Sequence, residues 1–121
     1  MPTLAIIIPV LNDAQPLRAL LTQLQSQRAQ CAELCEIIVV DGGSQDDSVQ
    51  VAECYADQVL SSAAGRARQM QAGALASSAT WVWFLHADTV LPEKLITKLQ
   101  HLPENVRWGR FDVQFDQSAW I

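Results

Sequence analysis

Three runs of bulky apolar residues, LAIIIPV at 4–10, EIIVV at 36–40 and WVWFL at 81–85, recur along this 121-residue chain with polar turns and helix-forming stretches between them. Short runs rich in β-branched residues, without polar alternation, suit strands buried on both faces of a parallel sheet. After the first run, Asn12 and Asp13 offer a helix cap. Pro16 then fits a first helical turn, where an amide hydrogen is not needed, and Leu17, Leu20, Leu21 and Leu24 recur at helical spacing. After the second run, Asp41, Gly42, Gly43 and Ser44 mark a tight turn, and Asp46 and Asp47 can cap a helix over 48–56 with Val49, Ala52 and Ala56 on one stripe. A short strand is expected at 59–60, and 65–79 is composed of good helix formers interrupted by Gly73. Pro92 opens a further helix with Leu95, Leu99 and Leu102 inward, and Phe111, Val113 and Phe115 alternate with polar residues as a half-exposed strand.

Strands alternating with helices imply an α/β fold, a mostly parallel sheet covered on both faces and joined by right-handed crossovers. Such sheets bind ligands beyond the carboxyl ends of their strands, where the loops 12–13, 41–47 and 86–89 fall. The length fits one domain over 1–121. A formal charge of −5 excludes broad nucleic-acid binding, which relies on a basic surface, so a phosphate ligand has to be held locally. The longest apolar stretch, 4–11, is broken by Pro9 and falls far short of the ~20 residues of a membrane span. No basic region precedes it, so a signal peptide is not expected and the cytoplasm is the expected compartment. Cys31, Cys35 and Cys54 lack zinc-finger spacing and read as reduced, partly buried thiols.

Asp41 leaves an apolar strand ahead of two glycines, so its carboxylate can meet a ligand that approaches the backbone; turn chemistry accounts for it as well. Asp88 stands in the same position after WVWFL, suited to hold Mg²⁺ or Mn²⁺ against a diphosphate or to cap the helix at Pro92. His86, two residues earlier, has the chemistry of a metal ligand, a donor to phosphate or an ordinary strand-end histidine. Arg66 and Arg68 open a helix, where amide groups and guanidinium forks favour anionic oxygens, though a solvated face suits them too. His101, Trp108 and Trp120 are read as structural.

In order, IIIPVLN, IIVVDGGSQDD, GRARQMQAGA and WVWFLHADTVLP resemble family 2 glycosyltransferases across nearly the whole chain. The family's first strand ends in Pro-x-x-Asn, matched by Pro9 and Asn12, and its second in an Asp-Asp-Gly-Ser turn, matched by Asp41, Gly43 and Ser44 with Gly42 replacing the second aspartate. The resemblance implies a Rossmann-like GT-A fold that binds a nucleotide sugar, with Asp41 on the nucleotide base and Arg68 in contact with the nucleotide or diphosphate. The family's Asp-x-Asp metal motif reads His86, Ala87, Asp88 here, which leaves Asp88 as the implied contact to Mg²⁺ or Mn²⁺. The combination of VDGGS, GRARQMQAGA and FLHADT is similar to the radical-SAM/selenodomain-associated transferase 2 subgroup, which makes His86 a subgroup feature.

The implied activity is transfer of a sugar from a nucleotide diphosphate donor to an unidentified acceptor hydroxyl, with inversion and metal assistance. Family members place the base and acceptor pocket beyond the GRFDV strand, and Asp112 and Asp116 match no base motif, so a catalytically silent donor-binding module is the alternative. Ending at Trp120 and Ile121 just after a strand, the chain has the look of the N-terminal half of such an enzyme. Homo-oligomerisation through Phe111, Val113, Phe115 and Trp120 is then expected. A haloacid dehalogenase-type phosphatase would want its nucleophile where His86 stands, and a dehydrogenase would want G-x-G-x-x-G after the first strand, where PVLND is found.

Overall fold

In the computed structural model, residues 4–30 and 35–89 are described. The first apolar run forms β1 (Leu4–Val10), and after Asn12 and Asp13 the chain enters α1 (Ala14–Gln30). Leu17 donates its amide to the Asp13 carbonyl, so Asp13 opens the helix and Pro16 lies in its first turn as expected. Then follow β2 (Cys35–Asp41), α2 (Ser48–Tyr55), β3 (Gln58–Ser61), α3 (Arg66–Leu75) and β4 (Trp81–Phe84). The expected helix after Pro92 and strand over 111–115 lie outside the described residues, as do Asp112, Asp116, His101, Trp108 and Trp120.

The four strands are parallel in the order β3-β2-β1-β4. Ile6 stands between Ile37 and Trp83, and Ile7 between Ile38 and Phe84, so each layer of the sheet places apolar side chains side by side. Alternate residues serve opposite faces. Leu4, Ile6, Ile8 and Val10, with Ile37, Val39, Trp83 and Leu85, pack against Leu17, Leu20, Leu21 and Leu24 of α1 and Val51 and Ala52 of α2. On the other face Ile7, Ile38 and Val40 meet Ala72 and Ala74 of α3, with Leu60 and Phe84 beside them. Full burial of each such leucine or isoleucine contributes about 1.5–3 kcal/mol, which makes β1, with neighbours on both sides and both faces, the centre of the core.

Several local expectations shift. The buried stripe of α2 is Ser48, Val51 and Ala52, with Val49 and Ala56 only half-buried, because Ser48 turns inward at the helix start. Helix α3 stops at Leu75, four residues before the expected end; beyond it the Ser77 hydroxyl accepts a hydrogen bond from the Ala79 amide, a local bond that competes with further helix. WVWFL is not buried throughout: Trp83 and Leu85 are buried, but Val82 is 37% exposed because β4 has a paired neighbour only on the β1 side among the described residues. Cys54 is exposed rather than partly buried. No helix among the described residues is long and apolar enough to cross a membrane.

The order of the strands positions the site. From β1 the chain moves outward through α1, β2, α2 and β3 on one side, then returns by α3 across the opposite face to reach β4 on the far side of β1. The strand order thus reverses at β1, with β2 on one side and β4 on the other, and a cleft lies at the carboxyl ends of β1 and β4.

Candidate functional site

At the end of β2, Asp41 is 4% exposed, and its Oδ2 accepts hydrogen bonds from the amides of Gly43 (2.9 Å) and Ser44 (3.0 Å). Gly43 has φ of +105°, a conformation that only glycine adopts without strain. The other carboxylate oxygen, Oδ1, is buried and has no hydrogen-bond partner among the described residues. A buried acceptor without a donor costs about 1–3 kcal/mol, so this oxygen calls for a donor from outside the described residues.

The loops after β1 and β2 are clasped together by side chains. Asn12, at φ +54°, accepts the Gln45 amide on its Oδ1 (2.7 Å), and its own amide donates to the Ser44 hydroxyl (2.9 Å). The Asp13 amide donates to the Ser48 hydroxyl (3.1 Å) and the Ala14 amide to Asp46 Oδ2 (3.2 Å). Asp46 Oδ1 in turn accepts from the Ser48 hydroxyl, which is the main reason its carboxyl titrates below the usual carboxylate value, with backbone amides adding to the effect. Asn12 and Ser44 thus hold each other and the rim of the site.

Gln69, which the residue patterns do not single out, organises the floor. It is buried on the sheet-facing side of α3, and its Nε2 donates to the carbonyls of Val10 (3.0 Å) and Val40 (2.8 Å), while its Oε1 accepts from the Gly65 amide (3.2 Å). One side chain therefore ties the ends of β1 and β2 to the turn before α3. A Cβ at Gly42 would lie 2.7 Å from Gln69 Oε1, so a larger residue there has to displace the Gln69 amide from these bonds. A signal was present in the sequence: Gln69 and Gly73 fall at i and i+4 on the buried side of a helix.

At the end of β4, His86 is half-buried and Asp88 exposed. Both line a cleft of about 350 Å³ with Pro9, Val10, Leu11, Asp13, Gly65, Arg66, Gln69 and Ala87. Burial pushes the His86 imidazole below its ordinary pKa and the nearby Arg66 charge lowers it further, against an opposing pull from Asp88. Histidine is therefore neutral here at neutral pH, with a ring nitrogen lone pair to offer. The structure brings Pro9, His86 and Asp88 together in the cleft and groups Asn12, Asp41, Gly43 and Ser44 at the adjoining turn. Arg68 is exposed and not among the cleft's walls; its alkyl chain runs past Gly65 instead.

Among the described residues no three His, Cys, Asp or Glu side chains gather into a metal cage. The exposed Asp88 carboxylate and the neutral His86 imidazole fit a divalent cation that draws its other ligands from diphosphate oxygens and water.

The sequence matches the family described as glycosyl transferase family 2 over residues 5–118. It is 33% identical to a PGL/p-HBAD biosynthesis glycosyltransferase of Mycobacterium tuberculosis, an alignment that covers 76% of this chain and 38% of the relative. It is 31% identical to an undecaprenyl-phosphate 4-deoxy-4-formamido-L-arabinose transferase of Serratia proteamaculans, over 95% of this chain and 40% of the relative. The chain thus spans well under half the length of these relatives. Its fold is similar to that of glucosyl-3-phosphoglycerate synthase from Mycobacterium tuberculosis, solved with Mn²⁺, UDP and glucosyl-3-phosphoglycerate, at a TM-score of 0.66 and 22% identity over 80% of this chain and 37% of that one. With a parallel sheet, helices on both faces and motifs in family order at the strand ends, the chain has the Rossmann-like GT-A fold and belongs to glycosyl transferase family 2.

Proposed function

We propose that residues 1–121 form the nucleotide-sugar-binding part of a glycosyltransferase that moves a sugar from a nucleotide diphosphate to an acceptor hydroxyl, with inversion and with Mg²⁺ or Mn²⁺. The observation that carries this reading is the carboxylate of Asp41 at the end of β2, whose buried Oδ1 has no hydrogen-bond partner among the described residues, in register with Val10 of β1, which lines the cleft. A nucleotide base supplies the N–H donor that this oxygen lacks. The clasp of Asn12, Ser44 and Asp46 holds the turn that aims Asp41, and Pro9 walls the cleft in which the diphosphate would lie. Family correspondence adds Arg68 as a contact to the nucleotide or diphosphate. A bound divalent cation, held by Asp88 with His86 beside it, would neutralise the charge that develops on the leaving diphosphate.

Calorimetry with UDP and Mn²⁺ tests the reading. Metal binding should become appreciable only in the presence of nucleotide, and both EDTA and Asp88→Ala should weaken the nucleotide severalfold or more, since one carboxylate and one imidazole leave most of the coordination shell to ligand and water. Tight metal binding without nucleotide, or nucleotide binding indifferent to chelator and to Asp88→Ala, would contradict it.

A further inference from the structure

The geometry points to Arg66, rather than Arg68, as the cation that receives the anionic group of the ligand in the cleft between β1 and β4. The inference rests on the nucleotide-diphosphate reading above and assigns a residue to its charged half. Arg66 is the first residue of α3 and lines the cleft together with Pro9, His86 and Asp88, whereas Arg68 lines none of it. Gly65, at φ +139°, turns the chain sharply into the helix, and the Arg68 Cβ, Cγ and Cδ lie 3.7–3.9 Å from where a Cβ on that glycine would stand. The two side chains, two positions apart on a helix, leave in different directions.

Arg66 has no ion pair or side-chain hydrogen bond among the described residues, where Arg28 with Asp57 is the ion pair present. Its guanidinium is available as a planar fork with donors matched to phosphate oxygens. The charge around Arg66 is mixed. Around the mouth of the cleft stand the carboxylates of Asp13 and Asp88, and an aspartate in place of His86 would have made a third. An imidazole at that position removes one negative charge from the wall that faces Arg66, leaving the guanidinium less neutralised by the protein itself. Amides of the first turn of α3, which have no acceptors within the helix, add the positive end of its dipole on the same side. Gln69 fixes this arrangement by holding the Gly65 amide to the ends of β1 and β2.

Titration calorimetry with UDP, and separately with inorganic pyrophosphate, both in the presence of Mg²⁺, tests the assignment on the native chain and on Arg66→Gln, Arg66→Glu and Arg68→Gln. Arg66→Gln should weaken UDP at least tenfold, and by more than Arg68→Gln does. Arg66→Glu should abolish binding without lowering the melting temperature, because an acidic residue suits a helix N-terminus; a merely structural role for Arg66 would not separate the two readouts in this way. Pyrophosphate binding that depends on Arg66 without any preference for UDP would support Arg66 and overturn the nucleotide reading. UDP binding that is indifferent to Arg66, or weakened more by Arg68→Gln, would overturn the assignment and leave the nucleotide reading standing. Binding of neither ligand would overturn both.

Discussion

Gly73→Val should destabilise the fold by about 3 kcal/mol, the upper part of the range for forcing extra methyl groups into a packed core. A Cβ at this position would stand 2.4 Å from Ile7 Cγ2 and 3.1 Å from Val40 Cγ2, both side chains fully buried in the sheet with no room to retreat. Helix propensity works the other way, since glycine in a helix interior costs about 1 kcal/mol relative to alanine. Gly73→Ala should therefore fall between the native chain and the valine variant. For a chain of 121 residues each kcal/mol moves the melting temperature by several degrees, so the valine variant should melt ~10 °C lower or more. Ile7→Ala removes the methyl groups in the way, so combining it with Gly73→Val should cost less than the sum of the two. An unchanged melting temperature for Gly73→Val would mean that α3 does not lie against β1 and β2 at this glycine.

Asp41→Asn should weaken nucleotide binding tenfold or more while leaving the melting temperature close to that of the native chain. The amide oxygen of asparagine can still accept from Gly43 and Ser44, so the turn survives. What changes is the buried, unpartnered position, where an acceptor oxygen becomes an N–H₂ donor facing the donor of the ligand. Hydrogen bonds to a charged group are worth about 1.5–3 kcal/mol, which corresponds to roughly 10- to 150-fold in affinity. Asp41→Ala should lose at least as much affinity and also some stability, because the two turn amides lose their acceptor. Calorimetry and thermal melting together separate the effects, and an asparagine variant with native affinity would remove Asp41 from the site.

The apolar runs at β1, β2 and β4 and the leucine spacing of α1 made the parallel α/β architecture legible, since burial on both faces leaves that pattern whatever the tertiary detail. The strand-end carboxylates Asp41 and Asp88 were legible for the same reason: a polar residue within a few positions of the end of such a run has to stand near the carboxyl edge of the sheet. Cross-loop contacts were not. Nothing in the spacing of Asn12 and Ser44 shows that they bond to each other across 32 residues, or that Gln69 spans three chain segments. Gly73 read only as a weakness in a helix, because the close approach that requires it involves Ile7 and Val40, both distant in sequence. The choice between Arg66 and Arg68 likewise depends on the turn at Gly65, whose backbone angle no composition reveals.

On the proposed function, a nucleotide diphosphate lies across the carboxyl ends of β2, β1 and β4. Titrating the ¹⁵N-labelled chain with UDP and Mg²⁺ and following its amide resonances tests this placement. Saturable shifts are expected, concentrated at Gly42 to Ser44, Gly65 to Arg68 and His86 to Asp88, with little change at Asp57 and Ser77, which lie toward the opposite edge of the sheet beside Ile37 and Glu36. Shifts centred on Asp57 and Ser77, or no shifts at millimolar nucleotide, would contradict it.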